Sequence, residues 1–170
     1  MQTREIGRSK GNVLPRLRSH AGGLLRWSYS ARFGGRWNPP ESFPALYLNA
    51  DIETARANAL RNYEGEAFGL FDLNPTQRPH LQLVKIAPCE VVDALTPQGR
   101  RELKLPQRDK PHLGHQRCRA IGVEAKERGF AGVAARSAAR PDGAELALFE
   151  LHHLTPVERR PFHAWFLDTP

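Results

Sequence analysis

One short run, Gly34-Gly35-Arg36-Trp37-Asn38-Pro39-Pro40, constrains this chain more than any other segment. Its paired glycines permit backbone angles and close approaches that other residues resist. Asn38 precedes a proline and is biased toward an extended conformation, which fixes a corner. Arg36 presents a planar, permanently charged fork suited to phosphate or carboxylate, and Trp37 a flat apolar face. Two readings follow. The segment is either a ligand-binding corner or a structural turn around a buried tryptophan.

Charge placement sharpens the first reading. Residues 1–36 carry eight Lys or Arg against one Glu, a net of +7 that equals the charge of the whole chain, so the remainder is close to neutral. Such a basic stretch suits an anionic partner: nucleic acid, a phosphorylated ligand or an acidic protein surface. Trp27, Tyr29 and Phe33 interleave with Arg26, Arg32 and Arg36, a pattern that stacks bases and equally suits a nucleotide. A hydrophobic content of 40% supports a real core. No apolar run approaches the roughly 20 residues that span a bilayer. Met1-Gln2-Thr3-Arg4-Glu5 lacks the apolar run of a signal peptide. Cys89 and Cys118 are too few for a disulfide framework or a cysteine-rich zinc module. A cytoplasmic setting without membrane contact is expected.

The pattern predicts a basic N-terminal arm over 1–12 and a single domain over 13–170. Residues 13–36 show no clear period. Ala45-Leu46-Tyr47-Leu48 reads as a buried strand. Asp51 caps a helix over 52–63, with Ile52, Ala55 and Ala59 on one face. Residues 64–80 read as loop, Leu81–Ala87 as a strand, and Val91-Val92 as the start of another. The polar, basic, proline-bearing stretch 95–112 reads as a surface excursion. Cys118, Ile121, Gly122 and Ala125 follow helical spacing, with Cys118 in the core. Strands are expected near 131–135 and 145–151, joined through Arg140-Pro141-Asp142-Gly143. His152 and His153, adjacent on such a strand, would face opposite ways, so no metal site is expected. The tail Pro161–Phe166 is expected to pack against the domain. Short strands with segregated helices predict an α+β fold.

These segments carry a resemblance. Gly34 to Pro39, then Ala45-Leu46-Tyr47-Leu48, then Glu53-Thr54-Ala55 opening a helix, resemble the RES domain family. Gln116, the helix through Ile121-Gly122, the run from Gly129 to Ser137-Ala138, and Leu146-Ala147-Leu148-Phe149 resemble its second half. The likeness covers roughly 14–151. It implies an ADP-ribosyltransferase-like mixed sheet with flanking helices. It further implies a toxin that consumes NAD as substrate, by hydrolysis or phosphorolysis, without a metal. Its partner would be an Xre-type helix-turn-helix antitoxin, and nucleic acid would be contacted only through that antitoxin. ADP-ribosyl transfer to a protein, and a catalytically weakened nucleotide- or nucleic-acid-binding module, are the alternatives.

Carried over by position, Arg36 would bind the dinucleotide's phosphates, beside Trp37 and Asn38. Tyr47 would line the nicotinamide side, and Ser137 would orient the nicotinamide ribose. Arg18 best fits the family's early arginine, with Arg16 as the alternative. The family glutamate falls on Asn58, which brings no charge, and Glu145 stands where the family often has asparagine. Three readings of this departure stay open: the carboxylate has moved to Glu145, catalysis is weakened, or the alignment slips. On the second reading Asn58→Glu would accelerate a slow turnover.

Overall fold

The computed structural model describes residues 27–107 and 115–167, together with the backbone of two earlier strands, 3–6 and 13–18. A five-stranded sheet runs in the order β1 (Thr3–Ile6), β5 (Cys89–Ala94), β6 (Gly132–Arg136), β7 (Ala144–Leu148), β3 (Leu46–Asn49). Only β5 and β6 are parallel, so the sheet is mixed. A second, antiparallel sheet holds β2 (Val13–Arg18), β4 (His80–Ile86) and β8 (Leu154–Arg160). Among the described residues four α-helices flank them: α1 (Trp27–Phe33), α2 (Ile52–Arg61), α3 (Pro97–Glu102) and α4 (Gln116–Glu127). This is the α+β fold with a mixed sheet and flanking helices that the sequence predicts.

Strand alternation divides the core. Val92, Ala94, Val133, Ala135 and Ala147 point to one face of the larger sheet. There they join Ile121 and Ala125 of α4, Leu103 and Leu105 beyond α3, and Trp37. Their neighbours Val91, Ala134, Leu146 and Leu148 point to the other face and meet Val84 and Ile86 of the smaller sheet. A third cluster sets Ala55 and Ala59 of α2 on Leu81, Phe162 and Trp165, so the tail packs as expected. Arg56 fastens it, donating through Nε at 2.9 Å and a terminal nitrogen at 2.7 Å to the Trp165 carbonyl.

Several elements differ from the sequence reading. Thr3–Ile6, within the expected arm, is an edge strand against β5. Val13–Arg18 pairs with β4, and Trp27–Phe33 is helical. The expected excursion opens with a short helix that buries Gly99 and Arg100 and leaves its other four residues exposed. Thr96 caps α3, Pro97 takes its first turn, and Arg100 is 0% exposed. Arg100 reaches inward because its guanidinium donates to the Pro106 carbonyl, which satisfies a charge that burial would otherwise penalise. Residues 108–114 lie outside the described residues. The strand expected to 151 stops at Leu148; Leu151–His153 forms a tight turn into β8.

Candidate functional site

The corner follows α1. Gly34, at φ 70°, takes a left-handed conformation that ends the helix. Its N–H donates to the Ser30 carbonyl at 2.9 Å, and the Gly35 N–H to the Asn38 carbonyl at 2.9 Å. Asn38 is 0% and Trp37 1% exposed. Asn38 Nδ2 donates to the carbonyls of Ser30 (2.7 Å) and Phe43 (3.1 Å), while its Oδ1 accepts from the Tyr47 hydroxyl at 2.8 Å. The tryptophan is therefore buried and the asparagine fully engaged. Of the two readings of this segment, the structural turn describes these two side chains: they form the frame behind the site and present no surface to a ligand. Arg36 is the outward member. It donates to the Arg136 carbonyl at 2.8 Å, and its guanidinium lies 5.2 Å from the Trp37 ring centre, a cation–π distance.

Tyr47 locks the corner to the sheet. Its hydroxyl accepts from the Trp37 N–H at 2.8 Å while donating to Asn38. Burial pushes the phenol up to about 12, against smaller lowering effects from its Trp37 and Asn38 hydrogen bonds and from Arg119. Close approach fixes a further point. A Cβ on Gly122 of α4 would collide with the Trp37 carbonyl oxygen, so only glycine lets that helix lie against the corner.

The pairing of β3 with β7 sets Tyr47 opposite Ala147 and Asn49 opposite Glu145. Residues directly opposite share a face, and residues two apart do too, so Tyr47, Asn49 and Glu145 line one surface. Asn58 reaches it from α2. Asp51 caps that helix by accepting from the Thr54 N–H at 2.7 Å. Asn58 then lies one turn beyond buried Thr54. Its Nδ2 donates to Asn49 Oδ1 at 2.7 Å and to Glu145 Oε1 at 2.8 Å. The position that lacks a carboxylate is thus bonded to the carboxylate on the neighbouring strand.

Ser137, just past β6, is 2% exposed. Its Oγ accepts from the N–H groups of Ala139 (3.1 Å) and Arg140 (3.3 Å), clamping the turn into β7. Arg140 crosses to Asp51 at 2.9 Å, a half-exposed pair of small energetic weight that ties this turn to the start of α2. Arg18 ends β2 opposite His80; its side chain, and that of Arg16, lie outside the described residues.

Sequence reasoning passed over Arg119, Arg61 and His115. Arg119 donates through Nε to the Gly35 carbonyl at 2.9 Å. His115, at the start of α4, is held below its ordinary value by partial burial and then by the charges of Arg119, Arg36 and Arg61. Nothing local marked Arg61 or Arg119. At the far end of β7 from Glu145, His152 and His153 do not face opposite ways. Within their turn their rings lie 3.9 Å apart, and both ring nitrogens approach Glu150. Lys126 already holds that carboxylate at 3.1 Å. Cys89 and Cys118 are free thiols, Cys118 half-buried against the first core cluster. Among the described residues no helix is long and apolar enough to cross a membrane.

A glycine-rich arginine corner locked by a tyrosine, beside a carboxylate held by a helix amide, defines an α+β fold with a polar cluster on its larger, mixed sheet. The RES domain profile matches residues 14–167, and the chain belongs to the RES domain family. It is 35% identical over 97 residues to proteins named NAD(+) phosphorylase MbcT, from Mycobacterium bovis and Mycobacterium tuberculosis. That alignment takes in 54% of this chain and 48% of each relative, so it spans about half the length of those proteins. A chain of the crystal structure of the M. tuberculosis MbcT–MbcA toxin–antitoxin complex superposes with a TM-score of 0.73 at 23% identity. The match covers 88% of this chain and 82% of that one, and shows the shared fold.

Proposed function

We propose that this chain cleaves the nicotinamide–ribose bond of NAD and serves as the toxin of a toxin–antitoxin pair. The observation that carries the reading is the Asn58–Glu145 contact. Breaking the bond sends its electron pair onto nicotinamide and leaves oxocarbenium-like positive charge on the ribose, as in glycoside cleavage. Glu145 supplies the negative charge for that cation. Asn58 is a positioning residue: bonded to both Asn49 and Glu145, it fixes Oε1. Oε2 makes no hydrogen bond among the described residues and is the oxygen available to the sugar. A fixed charge aimed at a developing cation stabilises it without reorganisation. Arg36 holds the dinucleotide's phosphates, and the Ser137 turn sets the position of the strand that carries Glu145.

Phosphorolysis is the favoured outcome because the curated relatives are named for it. There a phosphate oxygen bonds to the anomeric carbon that nicotinamide leaves, giving ADP-ribose phosphate. In hydrolysis a water oxygen takes that place and sheds a proton. The setting is cytoplasmic, and the partner is an antitoxin of the Xre helix-turn-helix type.

Purified protein incubated with NAD, with and without inorganic phosphate, and analysed by mass spectrometry tests the enzyme reading. ADP-ribose phosphate formed only with phosphate supports phosphorolysis; free ADP-ribose, or ADP-ribose attached to protein, replaces it with hydrolysis or transfer. Intact NAD in both conditions sinks the enzyme reading in favour of a nucleotide-binding module. Growth arrest on expression, relieved by co-expressing the neighbouring reading frame, tests the toxin role.

A further inference from the structure

The turn Leu151–His153 gathers side chains that the site described above does not use. On a continued strand His152 and His153 would face opposite ways. The strand ends at Leu148 instead, and the turn swings both rings to one side, their centres 3.9 Å apart. His152 Nε2 lies 3.5 Å and His153 Nε2 3.9 Å from the same carboxylate oxygen, Glu150 Oε2. One donor atom from each of the three residues falls within 4.8 Å of the other two. The two separations from Oε2 exceed the roughly 3.2 Å limit of an ordinary N–H···O hydrogen bond. They lie close to the edge of a tetrahedral metal site, about 3.3 Å for metal–ligand bonds of about 2.0–2.1 Å. The three donors therefore face a shared centre. Their supports are in place. The Ala87 N–H donates to the His153 carbonyl at 2.8 Å, and the Leu154 N–H closes the turn on the Leu151 carbonyl. Lys126 Nζ donates to Glu150 Oε1 at 3.1 Å, which leaves Oε2 toward the imidazoles. A carboxylate that binds a metal is ordinarily oriented by such a hydrogen bond. Glu150 and His153 are half-buried, and the exposed His152 ring has room for the small rotation that completes the set.

We propose that Glu150, His152 and His153 bind one divalent cation of the zinc type, with the fourth position open to water. Two imidazole nitrogens and one carboxylate suit zinc. Magnesium and calcium favour six or more oxygen donors, against the single carboxylate here. Lys126 already balances Glu150, so the bound ion adds net charge, and surrounding water screens it at this exposed turn. Affinity is accordingly on the order of micromolar, below that of closed four-ligand structural sites. The three ligands lie where the chain leaves the larger sheet after β7 and enters the smaller one at β8. A cation there staples the two sheets, at the opposite end of β7 from Glu145. The site is independent of the NAD-cleaving reading.

The test uses the whole chain without a histidine tag, stripped of metal with a chelator and held in a neutral, non-coordinating buffer. Calorimetric titration with zinc chloride, and separately with magnesium chloride, should show one zinc bound per chain and no magnesium. The melting temperature should rise with zinc, because the ion binds the folded turn in preference to the unfolded chain. His152→Gln and Glu150→Gln should each weaken zinc binding roughly tenfold or more. Both changes fall on the turn, outside the buried core, and the second leaves an amide oxygen for Lys126. His163→Gln, which alters an exposed histidine outside the cluster, should leave zinc affinity unchanged. A natural protein that binds no zinc overturns the proposal, as does magnesium bound as tightly as zinc. Undiminished zinc affinity in His152→Gln and Glu150→Gln, or an equal loss in His163→Gln, makes the zinc an adventitious ion only and overturns it too.

Discussion

Asn58 on α2 donates a 2.8 Å hydrogen bond to the Glu145 carboxylate on β7, so the helix contributes the amide and the strand the charge. A carboxylate introduced at 58 would sit against the one at 145. Asn58→Glu is therefore expected to slow NAD consumption and lower the melting temperature, the reverse of what the sequence position suggests. Glu145→Gln should reduce turnover at least a hundredfold, by about 3 kcal/mol of lost charge stabilisation, with little change in melting. The double exchange Asn58→Glu with Glu145→Asn restores one carboxylate and one amide, and should recover activity lost in either single variant. Full activity in Glu145→Gln removes Glu145 from the mechanism.

Tyr47 gives an alkaline signature. Its phenol is raised to about 12 from an ordinary 10.0, chiefly by burial. Between these values the folded chain keeps a proton that the unfolded chain releases. Stability from this group is complete below pH 10.0, and falls as pH rises toward the folded value. The full loss is on the order of 3 kcal/mol. Tyr47→Phe should abolish that decline while costing about 1–3 kcal/mol at neutral pH, because the Trp37 N–H loses its acceptor. Chemical denaturation at pH 8 and at about pH 11 measures both effects; an unaltered alkaline decline in the variant would place the titration elsewhere.

Ser137 holds two backbone N–H groups at once. Removing its hydroxyl should cost about 1–3 kcal/mol and loosen the turn that carries Arg140 to Asp51. Ser137→Ala is expected to lower both melting temperature and turnover. Turnover per folded molecule separates the roles: a value equal to that of the natural protein confines Ser137 to the turn.

Arg36→Ala should weaken NAD binding roughly tenfold or more, from the loss of a charge-assisted contact. Trp37 keeps its burial in the core without the guanidinium over it, so far-ultraviolet dichroism should be unchanged. An unchanged dissociation constant for NAD means that the phosphates lie elsewhere.

How far the sequence carried depended on what each element buries. α2 was legible because Asp51, Ala55 and Ala59 mark a cap and a packed face, and β6 because its residues are buried almost throughout. β8 was not. Its seven residues are largely exposed, and a bulge interrupts its pairing with β4, so no alternating apolar pattern exists to be read. α1 buries only Ser30 and shows no stripe. At the site, the corner and Tyr47 were legible from local motifs, though Trp37 and Asn38 face inward. The Asn58–Glu145 bond was not legible, because it arises only when a helix and a strand 87 residues apart in sequence are brought together.

The bond from Arg56 to the Trp165 carbonyl ties the tail to the helix that carries Asn58. α2 rests Ala55 and Ala59 on Leu81, Phe162 and Trp165, and Asn58 is the residue before Ala59. The height of that aromatic pedestal therefore sets how far the Asn58 amide stands from the Glu145 carboxylate. Phe162 and Trp165, remote from any bond made or broken, act as the shim that gauges the pair.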